Sequence, residues 1–202
     1  MAAVGTESQV LEGSVNHPVR SSLADSFDIA YKGLFDYVEE NPDREGLQET
    51  PRRVVKALIE MTQGYFDDPS KILSKSFESD CDEMVVVKAI PFISLCEHHL
   101  LPFFGYVDVA YLPNGRVLGL SKIPRAVQAL AQRLQIQERL TQEIAEAISE
   151  NVKNSGVAVK VRATHSCMKL RGVQSDGEMV TCKLLGNFKE PVVRAEFFEL
   201  VK

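Results

Sequence analysis

Cys96-Glu97-His98-His99 and His165-Ser166-Cys167 gather two of the chain's four cysteines and three of its four histidines into two short segments about 70 residues apart. If they serve one site, the fold must carry the later segment back to the earlier one. Cys96 and His99 have the Cys-x-x-His spacing of two ligands on one zinc ion, and Cys167 offers a third. Three protein ligands leave a fourth tetrahedral position for water, the pattern of catalytic zinc, whereas structural zinc usually has four protein ligands. Cys81, in the acidic turn Ser79-Asp80-Cys81-Asp82-Glu83, and Cys182, which reads as a small apolar strand residue, are the remaining thiols. His98 and His165 are then left for proton transfer. The plain alternative is that the cysteines are packing and the histidines are hydrogen-bonded core residues.

The pattern leading into the second segment is a strand. Val157, Val159, Val161 and Ala163 alternate with Ala158, Lys160, Arg162 and Thr164. Continued, this period of two places His165 and Cys167 on the valine face, pointing inward at the strand's end. Met84–Ile90, Tyr106–Leu112 and Glu178–Leu185 are the other predicted strands, with a turn at Pro113-Asn114-Gly115. Between the second and third strands, Val127, Leu130, Leu134, Leu140, Ile144 and Ile148 follow a helical period. Its phase slips at Gln135-Ile136-Gln137, which predicts two consecutive helices broken there. Helices are also expected over Asp25–Glu40, from Thr50 (a fitting N-cap ahead of Pro51) to near Gly64, and over Arg194–Val201. Residues 1–22 lack periodicity and read as a flexible tail, leaving 23–202 as one domain.

Charge narrows the ligand. The net charge of −5 gives no general drive toward nucleic acid or membranes. Residues 1–50 hold ten acidic and three basic side chains. By contrast, Arg116, Lys122, Arg125, Arg133 and Arg139 face only Glu138 over residues 116–139, and residues 160–171 hold four basic groups and no acidic one. Cations flanking the Cys/His segments suit a small polyanion, although each alone reads as a solvated surface charge. No stretch approaches the ~18 apolar residues of a membrane span, and the first residues lack a signal peptide's basic start and apolar run. Four cysteines in 202 residues are no disulfide framework, so a reducing cytoplasm is expected.

Several chemistries are excluded by their motifs. A zinc nucleobase deaminase needs Pro-Cys-x-x-Cys, which is absent. A zincin's His-Glu-x-x-His is absent too. A cysteine nucleophile with a histidine base leaves the Cys-x-x-His spacing unexplained. Without a Walker loop, a nucleotide has to be held by side chains.

Ser94-Leu95-Cys96-Glu97-His98-His99-Leu100-Leu101-Pro102-Phe103 resembles the signature of the GTP cyclohydrolase I family. So do Gly119-Leu120-Ser121-Lys122-Ile123-Pro124-Arg125, Gln137-Glu138-Arg139-Leu140-Thr141, Ala163-Thr164-His165-Ser166-Cys167-Met168 and Arg171-Gly172-Val173. Five blocks in order, from about residue 24 to the end, make the resemblance specific. Pro124 departs from it, since the family more often has a small or polar residue there.

The resemblance implies an α+β tunnelling fold (T-fold). Its features are a four-stranded antiparallel sheet with two helices between strands two and three, N-terminal helices, and sheets that close into a barrel in the oligomer. It implies zinc on Cys96, His99 and Cys167, with His165, His98 and Ser121 catalytic. Substrate contacts map to Glu138 and Gln137 for guanine and to Lys122, Arg125 and Arg171 for triphosphate, with Arg53 reaching a neighbouring subunit's triphosphate. The implied reaction converts GTP and water to formate and 7,8-dihydroneopterin triphosphate, in a decamer of two stacked pentamers. Glu97 takes no role from it: it either supports the ligands or is a surface carboxylate. The competing readings on the same fold are a zinc- and nucleotide-binding protein without turnover, and an enzyme acting on another pterin or a deazapurine.

Overall fold

The computed structural model describes residues 18–202. Most of the expected tail therefore lies outside the described residues, but Pro18–Ser22 of it are helical. The chain separates into two compact units, one ending at Glu60 and one spanning Met61–Lys202.

In the first unit, helix α1 (Pro18–Tyr37) stops ahead of Asn41-Pro42, where the Asn41 side chain accepts from the Asp43 amide at 3.0 Å. Helix α2 (Thr50–Met61) follows. Thr50 does not cap it: its hydroxyl donates back to the Gly46 carbonyl at 3.5 Å, and Thr50 is already the first helical residue.

The second unit is built on long strands. β2 (Val85–Cys96), β3 (Pro102–Pro113), β6 (Asn154–His165) and β7 (Met179–Gly186) lie in that order, each antiparallel to its neighbour. Helices α4 (Lys122–Ala131) and α5 (Gln137–Asn151) intervene between β3 and β6, as the slipped period predicts. Pro124 sits in the first turn of α4, where proline is tolerated. The sheet has five strands rather than four, because the break between these helices contributes β5 (Leu134–Gln135) parallel to the end of β2. Two residues carry no readable strand period, so β5 was invisible in the sequence. Short β1 (Ser76–Glu78) and β4 (Arg116–Leu118) pair separately. A single-turn helix α3 (Pro69–Leu73), a turn α6 (Ser166–Lys169) and a closing helix α7 (Pro191–Leu200) complete the unit.

β2 outruns its predicted end at Ile90. Pro91 lacks an N–H and is confined to sheet edges, and at Pro91 β2 is an edge, since β5 reaches only Leu95 and Cys96. A bulge between Val87 and Ile90 puts Ala89 at φ 53, and buried Asp108 accepts from the Ala89 amide at 2.8 Å.

The main core lies between the sheet and α4 and α5. Val107, Val109 and Tyr111 of β3 and Val157, Val159, Val161 and Ala163 of β6 pack against Ile123, Val127, Leu130, Leu140, Ile144 and Ile148. At one end of the opposite face Ala110 and Ala158 meet Phe188, Phe197 and Val201. Beyond that end Ile93, Phe104, Tyr106 and Val180 are about half exposed. β3 and β6 approach closely beside the site: a Cβ on Gly105 would lie 1.9 Å from the Arg162 carbonyl oxygen.

Candidate active site

Strand register brings the two Cys/His segments together. Leu95 pairs with Pro102 across the β2–β3 hairpin, so Cys96 ends β2 beside the start of β3. Phe103 pairs with His165, so the end of β6 reaches the same place from the other side. The hairpin loop folds tightly: the amides of Leu100 and His99 donate to the Cys96 carbonyl at 2.9 and 3.3 Å, and Leu100 turns at φ 54. Cys167 arrives differently from its predicted route. The strand ends at His165 and the chain turns into α6, so Cys167 enters from a helical turn rather than from the valine face.

Cys96 Sγ, Cys167 Sγ and a ring nitrogen of His99 lie within 4.8 Å of one another. A tetrahedral ion with metal–sulfur bonds near 2.3 Å needs sulfurs about 3.8 Å apart, so this donor set fits zinc with small adjustment. Among the described residues neither Cys81 nor Cys182 belongs to the group, which leaves a three-ligand set. Burial pushes the Cys167 thiol up, the adjacent Cys96 sulfur pushes it the same way, and nearby Arg171 draws it down. A cation held between two such sulfurs reverses that balance and favours both thiolates. Cys96 Sγ is 3.9 Å from Nδ1 of both His98 and His99. His98 is exposed, with Nε2 3.9 Å from Glu97.

His165 is held on two sides. Its ring stacks on buried Phe103, centroids 4.6 Å apart and planes 3° from parallel. Its Nε2 is 2.9 Å from Gln137 Oε1. Burial lowers its pKa, and the Glu138 carboxylate opposes that shift. Glu138 itself is exposed in the first turn of α5. Gln137, expected among the substrate contacts, is 1% exposed and its amide is committed to the protein. Ser121, Lys122 and Arg125 occupy the start of α4, and Arg53 lies on α2 of the first unit. Arg171 follows α6 and is exposed.

Arg139 and Gln135 are supports that the residue patterns alone did not single out. Arg139 pairs with Glu97, and it also donates to Gln135 Oε1 at 2.9 Å and the Leu134 carbonyl at 3.1 Å. The Glu97 amide donates to the Gln135 carbonyl at 3.1 Å, and the Gln135 side chain donates to Glu143 at 2.8 Å. The hairpin carrying Cys96 and His99 is thereby fastened to the break between α4 and α5. The Arg139 hydrogen bond holds Glu97 below the usual carboxylate range, which gives Glu97 a structural partner. The only sequence signal was the crowding of Gln, Glu and Arg at the break.

The sequence profile described as GTP cyclohydrolase I matches residues 27–202. The chain belongs to the GTP cyclohydrolase I family. A protein named GTP cyclohydrolase 1 from Campylobacter lari (strain RM2100 / D67 / ATCC BAA-1060) is 50% identical over 182 residues, covering 89% of this chain and 96% of that one. Its namesake in Alkalilimnicola ehrlichii (strain ATCC BAA-1101 / DSM 17681 / MLHE-1) is 48% identical over 183 residues, with 89% and 99% covered. In Drosophila melanogaster the identity is 46% over 187 residues, 91% of this chain and 58% of that protein. Among the described residues no helix is long and apolar enough to cross a membrane.

Proposed function

We infer that the protein is a GTP cyclohydrolase, converting GTP and water to formate and 7,8-dihydroneopterin triphosphate, the first step of pterin biosynthesis. The observation that carries this reading is the meeting of Cys96, His99 and Cys167 beside a stacked, hydrogen-bonded His165. Cys96, His99 and Cys167 would hold zinc, which when bound supplies an acidified water near neutral pH. His165 delivers the proton that N7 needs as the purine's five-membered ring opens. His98 and Ser121 move protons while the ribose opens and recloses on the pyrimidine amine. Glu138 accepts from guanine N1–H and the 2-amino group, a donor pair that adenine lacks. Lys122, Arg125 and Arg171 neutralise the triphosphate in place of a phosphate loop. The four free cysteines suit a reducing cytoplasm.

Incubation with GTP, followed by oxidation and detection of pterin fluorescence, tests the activity, and a protein that binds zinc and GTP without product sinks the reading. Lys122→Ala and Arg171→Ala are each expected to weaken GTP binding by ~1.5–3 kcal/mol, the scale of hydrogen bonds to charged groups. Guanosine binding as tightly as GTP would move the triphosphate site elsewhere.

We place the working enzyme in a decamer of two pentameric rings. Among the described residues β7, an eight-residue strand, has a strand neighbour on one side only, and Ile93, Phe104, Tyr106 and Val180 are about half exposed. Such edges and faces invite pairing, and closure of several sheets into a barrel removes the edges. Arg53 is read as a group lent to a neighbouring subunit's triphosphate. Mixing inactive Arg53→Ala chains with inactive Cys167→Ser chains is expected to restore part of the activity in mixed rings. An active monomer, or no rescue despite demonstrated subunit exchange, would end the shared-site reading.

A further inference from the structure

We propose that Gln137 is a positioning residue that fixes the tautomer of His165, keeping Nε2 as its N–H nitrogen and leaving Nδ1 bare in the neutral ring. The proposal rests on the reading of His165 as a proton carrier.

The hydrogen-bond directions follow from chemistry. Gln137 Nε2 lies 3.2 Å from the Val161 carbonyl and 3.0 Å from the Met179 carbonyl. Carbonyl oxygens only accept, so this end of the amide is the NH2 group and the other end is oxygen. That oxygen faces His165 Nε2 at 2.9 Å and can only accept. The neutral His165 ring therefore carries its hydrogen on Nε2.

The amide cannot readily turn over. Besides the two carbonyls, Nε2 lies 3.1 Å from Thr181 Oγ1. Thr181 and Thr141 hydroxyls are 2.6 Å apart, and Thr141 donates to the Gln137 backbone carbonyl at 2.6 Å. Each hydroxyl has one hydrogen, so Thr141's goes to that carbonyl and Thr181's goes to Thr141. The loop closes on Gln137, joining the start of α5 to β6 and β7. Gln137 and Thr141 are 1% and 2% exposed, so water does not compete for these groups. Flipping the amide would point its oxygen at two carbonyl oxygens, an unsatisfied and repulsive buried arrangement. The stack on Phe103 fixes the plane of the ring, and Gln137 fixes which edge is turned inward.

¹⁵N-histidine solid-state NMR of the zinc-loaded protein reads the tautomer directly. The chain has four histidines, and the His165 signals are those lost in His165→Gln. At mildly alkaline pH the wild type is expected to show one species, with a protonated Nε2 and a bare Nδ1. Gln137→Met is expected to show both tautomers and to lower kcat about 10–100-fold, the range seen when a supporting partner is removed, with KM for GTP within about twofold. If Gln137→Met fails to fold, Thr181→Val, which removes one anchor of the amide, is expected to mix the tautomers with KM unchanged. A wild-type ring protonated at Nδ1, or a mixture of tautomers in it, overturns the proposal. So does a variant that raises KM at constant kcat, which would make Gln137 a substrate contact. The wild-type spectrum is independent of turnover, so absence of cyclohydrolase activity would remove the functional reading and leave the tautomer assignment standing.

Discussion

Cys167→Ser is expected to purify without stoichiometric metal and to form no detectable dihydroneopterin triphosphate. The reason is geometric: among the described residues the donor set has three members, so removing one leaves a Cys/His pair from a single hairpin. Two ligands hold a catalytic ion poorly. Cys182→Ser is the matching control, because that exposed thiol on β7 stands outside the set. Elemental analysis of both variants, alongside the fluorescence assay, decides the matter. Full zinc content in Cys167→Ser would remove Cys167 from the ligands. Stripping the wild type in air is expected to consume two thiols reversibly, since Cys96 and Cys167 sulfurs are already neighbours.

His165→Ser is expected to keep metal and GTP while losing about 10²–10⁴-fold in rate, the usual contribution of a positioned acid or base. His98→Ser is expected to stall later, accumulating a ring-opened formamide visible on chromatography of quenched reactions. The separation matters because His98 and His99 both bring Nδ1 to 3.9 Å from the Cys96 sulfur. If His98→Ser loses the ion and His99→Ser keeps it, the ligand and the proton carrier change places. Complete loss of metal from both His165→Ser and His98→Ser would mean that ligands had been mistaken for acids and bases.

The long elements were legible because their periods are long. The valine alternation of β6 and the slipped helical phase around Gln135 each bury a face against the other, so pattern and packing agree. Legibility failed where geometry overrides pattern. The strand predicted over Met84–Ile90 runs on through Pro91, which the edge position of β2 accommodates. The period of two was carried past His165 because nothing in Ser166-Cys167 announces a helical turn. Cys96, His99 and Cys167 stand out as metal-binding residue types at that spacing even though the predicted path of Cys167 is wrong, and the structure brings the three together as a group that could hold a metal. The resemblance places Gln137 among the substrate contacts. Its burial and its bond to His165 depend on β6 and β7, which no local reading supplies.

The pairing of Phe103 with His165 has a consequence for how the molecule comes to be correct. A strand shifted by two positions keeps each side chain on its face but moves it along the sheet. Were β6 to slip by two residues against β3, His165 would be carried past Gln137 and Cys167 away from Cys96. Such a misaligned chain could still bury most of its valines and pass as folded, but it could not gather three donors around an ion. Metal capture thus discriminates between the native alignment and its near neighbours, and it does so only after a contact spanning some sixty residues has closed. An ion held there would then proofread assembly: chains that retained it would be those in which the sheet zipped in the right frame.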